Sequence, residues 1–281
     1  MSHPRTAVNG HSLLREPAQV PLSELNGYRF LEIGTGRVPV VLLHGLFGNP
    51  ENWRAIMNDL GEHYRFLALQ LPIDHNGKRE YKAFRSLDQL TDHVEGFVDA
   101  MGLQHAVLCG NSLGGQVALD FYLRRPECVD RLIITGSAGL FEQSLSGGRA
   151  PQLCRSLIRE QACEIFYDPA HVTDALVDEV YGMLSDRGYR RFLLRVAKAT
   201  RDRSMKEELA RVTVPTWIIW GRNDTITPPF VAEQFCSGIR NARLTYIDEC
   251  GHAPPIEQPK EFARLLHDFL AEPAVARAHA S

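Results

Sequence analysis

Apolar positions along the chain follow two periods, one typical of buried β-strands and one typical of amphipathic helices. Residues 38–43 form an apolar, largely β-branched run, which predicts a strand buried on both faces of a parallel sheet. In residues 87–101 the apolar side chains recur at helical spacing and form one stripe. Similar strand-like runs occupy residues 28–33, 66–71, 106–109, 132–135, 216–220 and 244–247, and similar helix-like segments occupy residues 53–60, 113–124, 231–239 and 262–270.

Strand-like and helix-like segments alternate, which predicts crossover connections and a mostly parallel sheet with helices on both faces. Locally, Gly34-Thr35-Gly36 predicts a hairpin turn from residues 28–33 into residues 38–43. The alternation stops after residue 138, and only helical patterns occur up to residue 212. We therefore expect an N-terminal extension of residues 1–24, a core of residues 25–138 and 213–281, and a helical cap of residues 139–212 over one end of the sheet.

The composition excludes several classes of protein. The 281 residues are 44% hydrophobic and 23% charged, which is enough apolar material for a packed core. The formal net charge of −3 argues against a nucleic-acid-binding surface, and no stretch approaches the roughly 20 apolar residues of a membrane span. The first 20 residues lack the apolar region of a secretory signal, and the six cysteines are widely spaced. We therefore expect a cytoplasmic protein with reduced thiols.

The strongest chemical motif is Gly110-Asn111-Ser112-Leu113-Gly114, which lies directly between a predicted strand and a predicted helix. This is the context of a nucleophile elbow, a sharp turn that exposes a serine hydroxyl at the N-terminal end of a helix. Glycines are needed two residues before and two residues after the serine because a side chain there would collide with a neighbouring element. Ser112 is therefore the candidate nucleophile.

A serine nucleophile needs a base and a carboxylate that orients the base. His252 follows the last predicted strand beside Gly251, and Asp224 follows the preceding strand, so the chain order is Ser, Asp, His. Asp248 is a competing carboxylate, but it precedes His252 by only four residues. We expect Asp224 to take this role.

Acyl transfer also needs hydrogen-bond donors for the developing oxyanion. The backbone N–H of Leu113 is one candidate, because the elbow presents it beside Ser112. The loop of residues 44–48, with sequence His-Gly-Leu-Phe-Gly, follows the first buried strand, and the backbone N–H of Leu46 is the second candidate. His44 is expected to brace this loop by hydrogen bonds rather than to act in catalysis.

Together these motifs resemble the α/β-hydrolase superfamily over residues 25–271. The resemblance implies an eight-stranded, mostly parallel sheet with helices on both faces and a helical cap inserted after the sixth strand. The expected substrate pocket lies between this cap and the carboxyl ends of the strands. Phe47, Leu140 and Phe141 are candidate apolar lining residues, and Asn111 is a further candidate for substrate binding.

A finer resemblance concerns the elbow and the cap. Asn111 and the cap segments around residues 166–169, 173–176 and 183–187 are similar to those of meta-cleavage product hydrolases, which split carbon–carbon bonds in vinylogous diketo acids. That resemblance implies that Arg187 contacts the keto-acid end of a substrate. The Gly-Leu-Phe-Gly loop and Ala253 differ from those enzymes, and the loop is closer to that of small bacterial esterases.

The residues therefore favour a serine hydrolase that cleaves a small carboxylic ester or related acyl compound through an acyl-enzyme. The alternatives are a carbon–carbon bond hydrolase, a cofactor-free haloperoxidase or perhydrolase with the same triad, and a non-catalytic binding protein with this fold. We expect a small-molecule acyl substrate, no cofactor, no metal, no nucleic acid and no membrane span, in either a monomer or a homodimer.

Overall fold

The computed structural model describes residues 21–73, 86–143 and 152–273. Most of the expected N-terminal extension therefore lies outside the described residues. The strands are β1 (Ser23–Leu25), β2 (Tyr28–Ile33), β3 (Pro39–Leu43), β4 (Arg65–Leu69), β5 (Ala106–Asn111), β6 (Val129–Thr135), β7 (Thr216–Gly221) and β8 (Ala242–Ile247). The helices are α1 (Arg54–Leu60), α2 (Asp88–Ala100), α3 (Leu113–Arg124), α4 (Arg155–Ile165), α5 (Asp174–Ser185), α6 (Arg187–Asp202), α7 (Pro229–Gly238), α8 (Pro254–Glu257) and α9 (Pro259–Ala271).

The eight strands form one sheet in the order β1-β2-β4-β3-β5-β6-β7-β8. The six strands β3 to β8 run parallel to one another, whereas β2 runs antiparallel to both of its neighbours, β1 and β4, at one edge. The mostly parallel eight-stranded sheet predicted above is thereby confirmed. Because the carboxyl ends of β3, β5, β7 and β8 lie at the same edge of the sheet, the loops that follow them can meet there.

Alternate residues of each central strand face two separate apolar layers. In β3, Val41 and Leu43 belong to the layer covered by α2, α3 and α7, and Val40 and Leu42 belong to the layer covered by α1 and α9. All four side chains are at most 1% exposed. Burial on both faces explains why residues 39–43 are apolar throughout rather than alternating, whereas Val38, just before the strand, is exposed.

The predicted hairpin between β2 and β3 is wrong. β4 lies between them: it pairs antiparallel with β2 and parallel with β3, while the other edge of β3 pairs with β5. Gly34 serves close packing instead of a two-residue turn. It has a φ of 89°, and a Cβ on it would lie 1.9 Å from the carbonyl oxygen of Tyr64. A glycine-rich segment after a strand therefore did not specify which strand pairs next.

The three helices α4, α5 and α6 follow β6, as the helical patterns predict. We call α4–α6 the insertion helices. One face of α6, with Tyr189, Phe192 and Val196, is buried in the same apolar layer as α2 and α3. The helices α4 and α5 share a smaller cluster that includes Ile158 and Val177. No helix among the described residues is both long and apolar enough to cross a bilayer.

Candidate active site

Ser112 lies at the sharp turn between β5 and α3. Its backbone has a φ of 55° and a ψ of −120°, a conformation that costs a non-glycine residue about 1–3 kcal/mol. The flanking glycines are required by close contacts. A Cβ on Gly110 would lie 2.2 Å from the carbonyl oxygen of Gly114, and one on Gly114 would lie 2.2 Å from that of Leu43. The turn therefore holds the serine hydroxyl at the N-terminal end of α3.

The structure brings Ser112, His252 and Asp224 together from three different loops. Ser112 Oγ lies 3.0 Å from His252 Nε2, and His252 Nδ1 lies 2.9 Å from Asp224 Oδ2 and 3.1 Å from Oδ1. Since the carboxylate accepts, the proton of the neutral imidazole belongs on Nδ1, and the lone pair of Nε2 faces the serine hydroxyl. His252 is 7% exposed and Asp224 is 3% exposed.

The Asp224 carboxylate is held by the turn that follows β7. Oδ1 accepts hydrogen bonds from the backbone N–H groups of Ile226 and Thr227, both at 2.9 Å, and Oδ2 accepts one from Thr227 Oγ1 at 2.8 Å. The competing residue Asp248 is exposed and pairs with Arg222 instead. The same turn geometry that makes aspartate a good turn residue therefore also aims Asp224 at the imidazole.

Electrostatics at the site favour a protonated imidazole. Burial alone lowers the pKa of His252, but the charge and hydrogen bond of Asp224 outweigh burial and raise that pKa above its ordinary value. The carboxylates of Glu142 and Glu257 act in the same direction. An imidazolium formed during a reaction would be stabilised here, and the neutral base requires a pH above the raised pKa.

The loop after β3 lies against Ser112. A Cβ on Gly45 would lie 3.2 Å from the Cβ of Ser112, so the backbone at Gly45, which precedes Leu46, packs closely against the serine. Among the described residues, no hydrogen bond uses the N–H of Leu46 or of Leu113. His44 is 1% exposed, and its Nε2 accepts a hydrogen bond of 3.0 Å from Leu71 N–H. Its Nδ1 lies 2.8 Å from the carbonyl oxygen of Gly45.

A cavity of about 190 Å³ lies between the loop after β6 and the C-terminal end of α6. The loop after β6 is hydrogen-bonded to the backbone at the elbow and at the turn of Asp224. Ala138 N–H donates to the carbonyl oxygen of Ser112, and Gln143 N–H donates to the carbonyl oxygen of Ile226. The residues lining the cavity are Gly139, Leu140, Phe141, Glu142, Thr200 and Arg201, which include two of the predicted substrate-binding residues.

The other predicted substrate-binding residues lie elsewhere. Asn111 uses its Nδ2 to donate to the carbonyl oxygens of Thr135 and His252, both at 3.1 Å. Phe47 is 42% exposed in the loop after β3. Arg187 is exposed at the first residue of α6, and at 1.5 Å per residue it is about 21 Å along that helix from the cavity residue Arg201.

A model described as the alpha/beta hydrolase family matches residues 40–265 of this chain. The chain belongs to the alpha/beta hydrolase family. The matched range runs from β3 into α9, so it contains the elbow and the loops of Asp224 and His252.

Relatives of this hydrolase carry different names. A 2-hydroxy-6-oxo-2,4-heptadienoate hydrolase of Pseudomonas putida is 29% identical over 85% of this chain and 91% of its own length. A monoacylglycerol lipase of Xenopus laevis is 24% identical over 90% of this chain and 82% of its own. The crystal structure of an alpha/beta hydrolase from the metagenome of lagoon sediments at Mar Chica, Morocco, is 34% identical, with a TM-score of 0.70, and covers 89% of this chain and 97% of the other. The comparisons thus establish the family, but the relatives are named for different substrates and do not identify the substrate of this chain.

Three side chains at the site of this hydrolase were not predicted from the sequence. Thr227 bonds Asp224, Glu142 lies in the cavity near His252, and Glu257 contacts the His252 loop. Burial raises the pKa of the Glu142 carboxyl, against the opposing positive charges of His252 and Arg201. Thr227 could have been found as a hydroxyl three residues after an aspartate in a turn. The two glutamates carry no local signal, since tertiary contacts alone bring them to the site.

Proposed function

We propose that this chain is a serine hydrolase that cleaves a small carboxylic ester or a related acyl compound, with Ser112, His252 and Asp224 as the catalytic triad. The observation that carries the proposal is the continuous contact from Ser112 Oγ to His252 Nε2 at 3.0 Å and from His252 Nδ1 to Asp224 at 2.9 Å. The strained elbow and the raised pKa of His252 support the same roles.

In the proposed reaction, Ser112 Oγ attacks the carbonyl carbon of the substrate while His252 Nε2 takes the hydroxyl proton. Asp224 stabilises the resulting imidazolium, and the N–H groups of Leu46 and Leu113 bind the oxyanion. His252 then gives its proton to the departing alcohol, which leaves the acyl group on Ser112. A water molecule, deprotonated by His252, attacks the acyl carbon of this acyl-enzyme. His252 then returns that proton to Ser112 Oγ as the bond from Oγ to the acyl carbon breaks, which releases the carboxylic acid and restores the free serine.

We propose that the cavity accepts the acyl part of the substrate, because Glu142, one of its lining residues, acts electrostatically on His252, while Ser112 and His252 lie outside the lining. The cavity volume of about 190 Å³ is below the roughly 300–1,000 Å³ of pockets that hold drug-sized ligands. Leu140 and Phe141 supply apolar wall, which suits a short acyl chain. We assign residues 139–212 as a cap, because the insertion helices supply Thr200 and Arg201 to the same cavity.

The test is the Ser112→Ala variant with p-nitrophenyl acetate and butyrate as substrates. We expect turnover to fall by about 10⁴–10⁶-fold, because removal of a triad serine abolishes the covalent route. Ser237→Ala is the matched control, since Ser237 is exposed on α7 and, within the described part of the chain, its hydroxyl bonds only its own helix. The activity of this variant should equal that of the unchanged protein. Hydrolysis that survives in Ser112→Ala would refute the proposed nucleophile.

A carbon–carbon bond hydrolase acting on a vinylogous diketo acid is the second candidate. The similarity to a relative named as a dienoate hydrolase favours it. A coloured ring-fission dienoate separates the two: rapid bleaching that is lost in Arg187→Ala and kept in Arg191→Ala supports this candidate. The exposed position of Arg187 leads us to expect no bleaching.

A further inference from the structure

Glu257, at the end of α8, accepts three backbone hydrogen bonds from two segments of the chain that are far apart from each other in sequence. Its Oε1 accepts from Ala253 N–H at 3.0 Å, and its Oε2 accepts from Gly251 N–H at 2.9 Å and from Tyr167 N–H at 2.7 Å. The first two donors flank His252, and the third belongs to the segment that follows α4. Glu257 is 8% exposed, so these bonds are shielded from water.

The backbone of His252 is held on both sides as well. Its N–H donates to the carbonyl oxygen of Ile165 at 2.8 Å, and its carbonyl oxygen accepts from Asn111 Nδ2 at 3.1 Å. Ile165 is the last residue of α4, and Asn111 precedes the elbow serine. The histidine is therefore anchored both to the insertion helices and to the elbow.

The segment that leaves α4 contacts the aspartate loop too. Thr225 Oγ1, next to Asp224, donates to the carbonyl oxygen of Glu164 at 2.6 Å. The fit beside the histidine is close: a Cβ on Gly251 would lie 2.5 Å from the carbonyl oxygen of Ile165. We call residues 164–167 the docking segment. It contacts the loops of both Asp224 and His252.

We propose that Glu257 is a positioning residue for His252, and that it couples the placement of the imidazole to the contact between the docking segment and the sheet. This inference rests on the proposed triad. A carboxylate only accepts hydrogen bonds, so its two oxygens suit three N–H donors. A glutamine would turn an N–H₂ group toward at least one of those donors, which leaves buried polar groups unpaired and shifts the loop.

The test compares Glu257→Gln and Glu257→Asp with the unchanged protein, using p-nitrophenyl acetate. We expect kcat to fall by about 10–100-fold in both variants, because a displacement near 1 Å can reduce turnover by about 10²-fold. KM should change by less than about 3-fold. The carboxylates that face His252 are Asp224, Glu142 and Glu257. Removing the charge in Glu257→Gln should therefore move the acidic limb of kcat/KM to lower pH, while Glu257→Asp keeps it in place.

Two controls separate positioning from general destabilisation. Glu261→Gln removes a partly exposed glutamate of α9 that pairs with Arg264, and it should leave kcat, KM and the pH profile unchanged. Proton NMR of the folded variants reports the low-field Nδ1 proton of His252, whose shift should change in Glu257→Gln and not in Glu261→Gln. If Glu257→Gln does not fold, the kcat and NMR data of Glu257→Asp decide instead.

A fluorophosphonate probe distinguishes failure of this inference from failure of the proposed function. Labelling of Ser112 in the unchanged protein, together with an unaltered kcat, pH profile and NMR spectrum in the Glu257 variants, would overturn the positioning role alone. An unchanged protein that is neither labelled nor active would overturn the proposed function, and this inference with it. If the probe labels Ser112 10–100-fold more slowly in Glu257→Gln than in the unchanged protein, the result supports both the positioning role of Glu257 and the proposed function.

Discussion

Two loops of this hydrolase each place a buried histidine at the same edge of the sheet, one after β3 and one after β8. In both, Nδ1 faces an acceptor: the Gly45 carbonyl for His44 and the Asp224 carboxylate for His252. Both rings therefore carry their proton on Nδ1. The difference lies at Nε2, which faces the backbone N–H of Leu71 in one case and the hydroxyl of Ser112 in the other.

Under the proposed function, neither burial nor tautomer distinguishes the base from the other histidine, because the two residues share both properties. A backbone N–H does not give up its proton under physiological conditions, so we expect His44 to stabilise its loop. A serine hydroxyl gives up its proton once it attacks a carbonyl, and a carboxylate behind His252 stabilises the cation that results. Under the proposed function, the role of each histidine therefore depends on the group that contacts Nε2 and on the group that accepts the hydrogen bond of Nδ1.

The largest expected effect comes from exchanging the two histidines for alanine in turn. His252→Ala should lower kcat by about 10⁴–10⁶-fold, because the proposed base is lost. His44→Ala should lower the free energy of unfolding by about 1–3 kcal/mol, because the buried N–H of Leu71 loses its acceptor. Denaturant unfolding and ester hydrolysis measure the two effects. A larger kcat loss in His44→Ala than in His252→Ala would reverse the assignment.

The second test concerns the Asp224 carboxylate, which accepts the hydrogen bond of His252 Nδ1. Asp224→Asn should lower kcat by about 10⁴-fold, because the amide no longer fixes the Nδ1 proton or stabilises the imidazolium. Asp248→Asn is the matched control: Asp248 is exposed and pairs with Arg222, so its kcat should stay within about 3-fold of the unchanged protein. Steady-state hydrolysis of p-nitrophenyl butyrate measures both, and equal losses in the two variants would contradict the choice of Asp224.

The smallest expected effect is a shift of the pH profile. Because the pKa of His252 is raised, kcat/KM should fall as the pH drops through a value above about 6.5, the ordinary pKa of histidine. Glu142→Gln removes a negative charge that favours the imidazolium, so the limb should move to lower pH. The exposed Glu160 supplies the control, since Glu160→Gln should not move the limb. A limb that stays in place in Glu142→Gln would show that this carboxylate does not act on His252.

Local sequence was most informative where a short segment has only one workable conformation. The alternation of apolar runs predicted the central strands, and α3 begins and ends at the residues expected from its pattern. The elbow was recognisable because both glycines are required by contacts of 2.2 Å. The short edge strand β1 and the four-residue helix α8 gave no periodic signal, since three or four residues are too few to display a period.

By itself, the sequence determined the alternation of the central strands and the longer helices, the strained serine turn and the identity of the histidine and aspartate loops, because each depends on neighbouring residues. Only the tertiary structure decided that β4 separates β2 from β3 and that the Asn111 amide bonds the backbone of His252. The places of Glu142 and Glu257 beside the same histidine were decided in the same way. These arrangements join residues far apart in the chain. They follow from how whole layers pack, which no local pattern encodes.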